Sequence, residues 1–334
     1  MSVKQNLLSA LEEHRGEDIS GQELADRLCV SRAAVWKAIK ALESEGYGID
    51  AVPGRGYRLR PDSDRLSAEG IRLYLPPEYA SCAVETVQEI DSTNRLAKQQ
   101  ALGPGPERCL LAANYQTAGK GRLQKSFFSP ADTGLYFSLT LRRTLPYANF
   151  VPVTMAAAVA VVRVLERLTA ARPRIKWVND ILVDGKKAAG ILTEAIGDLE
   201  SGLVHAVVIG IGLNLRTPAD AFPPELKELA ASIFPPASVT RNQLAGELAG
   251  EIFRLADALF GPDGGACLTA LAGEYRDKSA VLGREITWEQ GGRRFAGTAL
   301  DIDQTGALLV RTPEGQRILR AGEISIRPAP PEGV

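Results

Sequence analysis

Histidine is nearly missing from this chain: His14 and His205 are the only two in 334 residues. That scarcity argues against a Ser/His/Asp mechanism or a multi-histidine metal centre. Cysteine is sparse and scattered. Cys29, Cys82, Cys109 and Cys267 lie far apart, mostly within apolar segments, which fits buried thiols in a reducing cytosol better than disulfides or a metal site. A long apolar run is also lacking, since "VPVTMAAAVAVV" stops at Arg163, short of the ~20 residues a membrane span needs. The start, "MSVKQNLLSALEEHRGED", turns charged before the apolar core of a signal peptide develops. A cytoplasmic protein without membrane contact is the expectation. The formal net charge of -1 gives no global pull toward polyanions, so any such contact must come from local clusters.

What is present divides into parts. At 334 residues and 45% hydrophobic side chains, the chain holds material for two or three domains of a multidomain α+β protein. The first, residues 1–62, ends at the polar "RPDSD", read as a linker. Within it "SGQELADRLCV" forms a short helix with Leu24, Ala25 and Leu28 on one side. "SRAAVWKAIKALESEGY" forms a second, capped by Ser31, with Val35, Ile39 and Leu42 at helical spacing. Two strands around Pro-Gly-Arg-Gly then add a hairpin with Arg55 at its tip, which completes a winged helix-turn-helix. Residues 27–60 carry seven basic side chains against three acidic, a local balance of +4. This is the footprint duplex DNA asks for, with Ser31, Arg32, Lys37 and Lys40 toward the major groove and Arg55 toward the backbone or minor groove. The bland alternative is a protein-protein module with a solvated basic face. Trp36 is expected to pack against the wing.

Residues 68–280 mix strands and helices. Strands are expected in "AVETVQEI", "CLLAANYQ", "GLYFSLTLR", "ILVDG", "KAAGILTEA" and "LVHAVVIGIGL", with Asp184-Gly185 as a type I′ hairpin turn. Helices are expected after "DSTN", through "NFVPVTMAAAVAVVRVLERLTA", and in "TRNQLAGELAGEIFRLADALF" and "CLTALAGEYRDKS". "FPPELKELAASIFPPAS" reads as a connector. Residues 281–334, with short alternating strands between glycine-containing turns, read as a small SH3-like β-barrel.

"ANYQTAGKGRLQKSFFSP", residues 113–130, joins flexible Gly119 and Gly121 to the charges of Lys120, Arg122 and Lys125, which suits an anion. It fails the Walker pattern, because Gly follows its Gly-Lys. "EIDSTN" places Asp91, Ser92, Thr93 and Asn94 at a strand-to-helix junction, where side chains and free N–H groups could meet a polar ligand, although an ordinary N-cap is the preferred reading of the segment alone. "RIKWVND" sets Lys176 at a strand mouth, and "GKKAAGILTE" brings Ala188, Ala189 and Gly190 where a backbone or ligand could approach. "GIGLNL" ends a strand at Asn214 but lacks the third glycine of a dinucleotide fingerprint. None of these is specific alone.

Their order is specific. "SRAAVWKAI" with "VPGRGYRL", then "DSTN", "YQTAGKGR", "KWVND", "GKKAAGILTE" and "GIGLN", then "DQTGALLV…GEISIRP", make a chain that resembles, over nearly its full length, the bifunctional biotin protein ligases that double as biotin operon repressors. The resemblance implies that the central domain binds biotin and ATP, makes biotinyl-5′-AMP, and transfers biotin to a lysine of the biotin carboxyl carrier protein of acetyl-CoA carboxylase. It gives Lys176, Arg122 and Lys120 the role of neutralising two anions, with Lys176 the most sensitive to removal. Ser92, Thr93, Asn94 and Gln116 would hold biotin, Gly119, Lys120, Gly121 and Arg122 would close over the adenylate, and Gly190 and Asn214 would line the pocket. Asn179 and Asp180 would orient Lys176 or a Mg²⁺ that accompanies ATP. Operator DNA is the implied second partner, bound by a homodimer that forms with the adenylate.

The loop departs from the family pattern of Gly-Arg-Gly-Arg, one residue, Gly-Arg, then Trp. Here Lys120 replaces the first Arg, Gln124 the later Gly, Lys125 the next Arg and Phe127 the Trp; Val178 stands where proline is usual. Lysine lacks the bidentate fork, so weaker retention of the adenylate is expected. Three readings follow: ligase and repressor together, a ligase without regulation, or a ligand-sensing repressor alone.

Overall fold

The computed structural model describes residues 2–147, 151–198 and 201–326. Asn149 and Phe150, expected in the long helix, and residues 327–334, assigned above to the C-terminal domain, lie outside the described residues. The N-terminal part has three helices, α1 (Val3–Glu13), α2 (Gly21–Leu28) and α3 (Arg32–Ser44), then strands β1 (Ile49–Val52) and β2 (Gly56–Leu59). α1 is not among the expected helices, yet Ser2 and Gln5 form a capping box at its start and Leu7, Leu8 and Leu11 bury its inner face. Ser20 and Ser31 cap α2 and α3 by accepting from Glu23 N and Ala34 N at 3.0 and 3.2 Å. The wing pairs Ile49 with Leu59 and Val52 with Gly56. Gly56 takes φ +117, and a Cβ there would lie 2.0 Å from the Ile19 carbonyl. That closeness lets Tyr57 pair with Ile19 through bonds of 2.9 and 2.8 Å, which ties the wing to the helices. Trp36 does not bury its ring: it is 55% exposed. Cys29, expected in an apolar setting, is also exposed, while Cys82 is buried.

The "RPDSD" stretch is docked rather than loose. Gly48 N donates to Ser63 Oγ at 3.0 Å, and Arg15 donates to the Ser63 carbonyl at 2.7 Å. Asp64 accepts from Arg241 N at 2.6 Å and pairs with Arg216 at 3.0 Å.

The central part runs α4 (Ala68–Leu73), β3 (Ala83–Ile90), α5 (Thr93–Ala101), β4 (Arg108–Gln116), β5 (Gly134–Pro146), α6 (Val151–Leu168), β6 (Arg174–Lys176), β7 (Asp180–Val183), β8 (Lys186–Asp198), β9 (Leu203–Asn214), α7 (Arg241–Leu259) and α8 (Gly264–Asp277). Its sheet has the order β3-β4-β5-β9-β8-β7-β6, parallel only between β3 and β4. Asp184 and Gly185 both have positive φ, as the expected turn requires. The apolar run in α6 is explained by burial on all sides between the sheet and helices α7 and α8; Ala156 to Val162 are at most 1% exposed. α5 covers the opposite face, where Ala97 and Ala101 meet Ala206 and Val208.

The remainder is β10 (Glu285–Gln290), β11 (Arg293–Ile302), β12 (Leu308–Thr312), β13 (Gly315–Leu319) and β14 (Ile324–Ile326), an antiparallel sheet ordered β13-β12-β11-β10-β14. β13 and β14 are its two edges, so the expected barrel is not closed by hydrogen bonds among the described residues. Its apolar side chains, Ile286, Trp288 and Ile324 among them, join the core of the central domain, whereas the N-terminal helices keep a core of their own.

Candidate active site

The site forms where β3 and β4 end beside the start of α5. Ser92 caps α5, and Asp91 accepts from Ser92 N at 2.7 Å. Gln116, at the end of β4, accepts at Oε1 from Thr93 N at 2.8 Å and Thr93 Oγ1 at 3.1 Å, and its amide donates to Ser129 Oγ at 3.0 Å. Ser138 donates to Asn94 Oδ1 at 2.6 Å, and Asn94 Nδ2 reaches the Leu192 carbonyl and Glu194 at 3.1 and 3.0 Å. Ser92, Thr93 and Asn94 are each below 5% exposed, so this is a buried polar network whose members are paired and thereby fixed in orientation. Gly210 makes room for it, because a Cβ there would sit 2.0 Å from Asn94 Oδ1.

Ser92, Thr93, Asn94, Gln116, Lys120, Gly121, Arg122 and Gly190 all line one cavity. Gly119 stands behind it: a Cβ there would be 2.5 Å from the Phe127 carbonyl. Arg122 donates to Asn179 Oδ1 at 3.2 Å, and Asn179 donates to the Ile191 carbonyl at 2.6 Å. Burial pulls the Arg122 guanidinium below its usual pKa, yet leaves it a cation aimed at the pocket. Phe127 lies over the floor, its ring edge 2.4 Å from where a Cβ on Gly212 would be. With the ring in place the cavity has a free volume of about 40 Å³.

Lys176 and Asn214 are not in this cavity. They line a second one of about 360 Å³, together with Asp180, Phe222, Leu226 and Leu229. The lysine that the two cavities share is Lys187. Its Nζ lies 2.6 Å from Asp180 Oδ1 and 5.9 Å from the centre of the Phe127 ring, while Lys176 stands 3.8 Å from the same carboxylate. Nothing in "GKKAAGILTE" as a string singles out Lys187. A register shift between Ile181 and Leu182 breaks the two-residue alternation there and brings Lys187 toward Gly190. The "FPPELKELAASIFPPAS" segment is also more than a connector: Leu229 and Ala231 pair with Lys187 at 2.8 and 2.9 Å, so it walls the second cavity.

The loop departures fall in distinct places. Lys125 points away from the pocket and pairs with Glu323 of the C-terminal sheet at 2.5 Å. The hydrogen bond from Lys125 holds the Glu323 carboxyl below the usual range. Leu123 and Gln124 both have positive φ, +52 and +60. The Trp177–Val178 peptide, where the family pattern has proline, is cis.

On the basic N-terminal surface, Ser31 is spent on its cap, Lys40 pairs with Glu43 at 2.6 Å and Arg55 with Asp18 at 3.3 Å. Arg32 and Lys37 stand exposed on the outer face of α3.

Family profiles match three stretches: an HTH domain at residues 3–58, the Biotin/lipoate A/B protein ligase family at 86–214, and the Biotin protein ligase C terminal domain at 281–327. The bifunctional ligase/repressor BirA of Bacillus subtilis (strain 168) is 34% identical over 343 residues, covering 97% of this chain and 99% of that one. The chain belongs to the BirA family of bifunctional ligase/repressors. BirA of Escherichia coli (strain K12) is 32% identical and covers 94% of each chain. The biotin protein ligase from Aquifex aeolicus, solved in complex with biotin and ATP, superposes with a TM-score of 0.61 at 23% identity, over 74% of this chain and 99% of that one, which shows a shared fold. The BirA architecture accounts for all three parts of the chain, the helix-turn-helix included. Among the described residues no helix is long and apolar enough to cross a membrane.

Proposed function

We propose that this protein is a biotin protein ligase that also acts as a biotin-responsive repressor. Biotin's carboxylate attacks the α-phosphate of ATP, pyrophosphate leaves, and a lysine amine of the carrier protein then displaces AMP from biotinyl-5′-AMP to form the amide. The observation that carries this reading is the convergence, around one small cavity, of a fixed polar network (Ser92, Thr93, Asn94, Gln116) and three cations (Lys120, Arg122, Lys187) in a chain of the BirA family. The polar network suits the ureido head of biotin, which offers two N–H donors and a carbonyl. Ile191 and Leu192 supply apolar wall. The second cavity, with Phe222 and Leu226 as walls, suits the nucleotide base. Lys187 stands between the two and would meet carboxylate and phosphoryl oxygens together, where positive charge counts most for a reaction that joins two anions. Lys176 would then serve the nucleotide side.

Asp180 is a poor Mg²⁺ ligand here, since Lys187 and Lys176 already face its two oxygens. Among the described residues no group of three His, Cys, Asp or Glu side chains is placed to hold a metal. Mg²⁺ would thus be held chiefly by the phosphates of ATP. Phe127 lies against the cavity floor, so the loop that carries it is the element expected to shift as biotin enters. Ordering of that loop by the adenylate is the proposed link to a homodimer whose two winged helices span two operator half-sites.

The test compares two lysines. Lys187→Ala should lower the single-turnover rate of biotinyl-AMP formation by about 10²–10³-fold, while Lys176→Ala should chiefly raise KM for ATP. Intact adenylation by Lys187→Ala would remove the role given to it.

A further inference from the structure

Trp36 is 55% exposed, whereas the other two tryptophans, Trp177 and Trp288, are 3% and 5% exposed. An indole is among the largest apolar surfaces a side chain can offer, and one left in water at the centre of a basic face points to something that covers it. Its place on α3 narrows what that is. Val35, Ala38, Ile39 and Leu42 face the core, so Arg32, Ala33, Trp36, Lys37 and Lys40 share the outer side, with Trp36 one turn from both Arg32 and Lys40. Ser31 starts the helix, so Trp36 lies in its N-terminal half, the part of the second helix of a helix-turn-helix that enters the major groove. Across from it stands the wing. Arg32, Ala33 and Trp36 on the helix and Gly54 and Arg55 on the wing line a cleft of about 680 Å³. The Ile19–Tyr57 pairing fixes the wing, so the cleft is built before any ligand arrives.

We propose that Trp36 is a sequence-reading residue whose indole packs against thymine 5-methyl groups in the major groove. The inference rests on the DNA-binding reading of this domain and adds to it a residue and a base. Arg32, Lys37 and Arg55 surround the ring with charge complementary to phosphate. The ring itself carries no charge and a single N–H, so what it offers a base edge is mainly an apolar face. Thymine is the base that presents an apolar group in the major groove. Ala33, with its small side chain one turn back, leaves room for the base edge to approach. The sequence expectation is that Trp36 packs on the wing rather than reads bases; its ring instead remains 55% exposed in the cleft beside the wing.

The test uses the full chain with biotin and ATP present. Duplexes enriched by the wild-type protein from a random pool are titrated by fluorescence anisotropy at several salt concentrations, then remade with deoxyuridine in place of each thymine in turn. Wild type should lose about fivefold in affinity at one or two thymine positions per half-site. Trp36→Ala should bind the thymine duplex about tenfold more weakly, treat uracil and thymine alike at those positions, and keep the wild-type slope of affinity against salt, because no charge is removed. Trp36→Phe should keep the thymine preference. Unchanged biotinylation by each variant would show that the central domain is intact, and an unchanged circular dichroism spectrum and thermal transition that the N-terminal helices are. If no duplex binds in a salt-dependent way, the DNA-binding reading falls and this inference with it. If duplexes bind but Trp36→Ala keeps the thymine-over-uracil preference, this inference alone is overturned. It is overturned equally if the variant's loss traces to a change of oligomeric state in sedimentation.

Discussion

Gln124 sits with φ +60 where the family pattern has glycine, and Leu123 before it has φ +52. A side chain in this left-handed region costs about 1–2 kcal/mol relative to the right-handed conformation, a cost glycine does not bear. Gln124→Gly should therefore favour the closed loop and lengthen the half-life of bound biotinyl-AMP, by about 5- to 30-fold if the full cost is relieved. A filter-retention assay measures this, and a half-life unchanged or shortened contradicts it. Lys125 lines neither cavity and pairs with Glu323 instead. It holds the loop to Glu323, and both partners are half exposed, so that link is modest and weakened by salt. Single residues are legible in the sequence where chemistry and position coincide, as with Ser92 at its cap or Arg122 at its pocket. Lys187 is hidden there, because choosing between two adjacent lysines requires the register of β8, and a bulge in the β7–β8 ladder alters it.

At the scale of elements, the site depends on two strand glycines that the sequence shows only as a weak motif. Gly210 gives space to Asn94 and Gly212 to Phe127. A Cβ on Gly212 would meet the Phe127 ring at 2.4 Å, so Gly212→Ala should push the ring and its loop outward. The added methyl also takes space in the cavity lining, so biotin affinity, read by calorimetry, is expected to fall by about tenfold, roughly 1.4 kcal/mol. Gly212 lines only the first cavity, whereas Phe127 lines both, so nucleotide affinity should fall less than biotin affinity, and a larger loss for the nucleotide would contradict this division of the site. Strands with plain alternation and helices with clear caps are readable: the six strands expected in the central domain all occur. α1 and α4 escape a local reading, the first because its charged surface hides three core leucines, the second because six residues carry too little periodicity. The prolines of the connector at 222–238 suggest punctuation, yet its backbone pairs with β8 through Lys187.

At the scale of the molecule, the N-terminal and central parts are joined by buried polar contacts that no pattern in the sequence announces. Arg241 is 3% exposed and donates to the Asp64 carbonyl and to Asn114 Oδ1, which sits on the strand that ends at Gln116. Asn242 beside it donates to the Arg65 carbonyl and to Glu12 of α1 at 3.0 and 3.3 Å. Burial raises the pKa of Glu12, so its carboxylate is held at this junction at a cost that Arg15 offsets. Arg241→Ala would leave Asn114 Oδ1 and the Asp64 carbonyl without their guanidinium donor while Arg216 still pairs with the Asp64 carboxylate, a loss of about 1–3 kcal/mol for buried acceptors left unsatisfied. Scanning calorimetry should show a lower main transition and a separate melt of residues 1–62; one unshifted transition would contradict the junction. Long-range contacts such as Asp64 with Arg241 are invisible to local reading, which is why "RPDSD" looks like a free linker in the sequence.

The central claim is that the cavity bounded by Thr93, Gln116, Arg122 and Lys187 activates biotin as an adenylate. The most direct measurement is to incubate the purified protein with biotin and ATP labelled at the α-phosphate, and to follow the label by chromatography before and after adding biotin carboxyl carrier protein. The account expects label to appear as biotinyl-AMP, and then to be released as AMP as the carrier gains biotin on a lysine. Pyrophosphate-free ATP turnover, or no labelled adenylate in the presence of biotin, would contradict it.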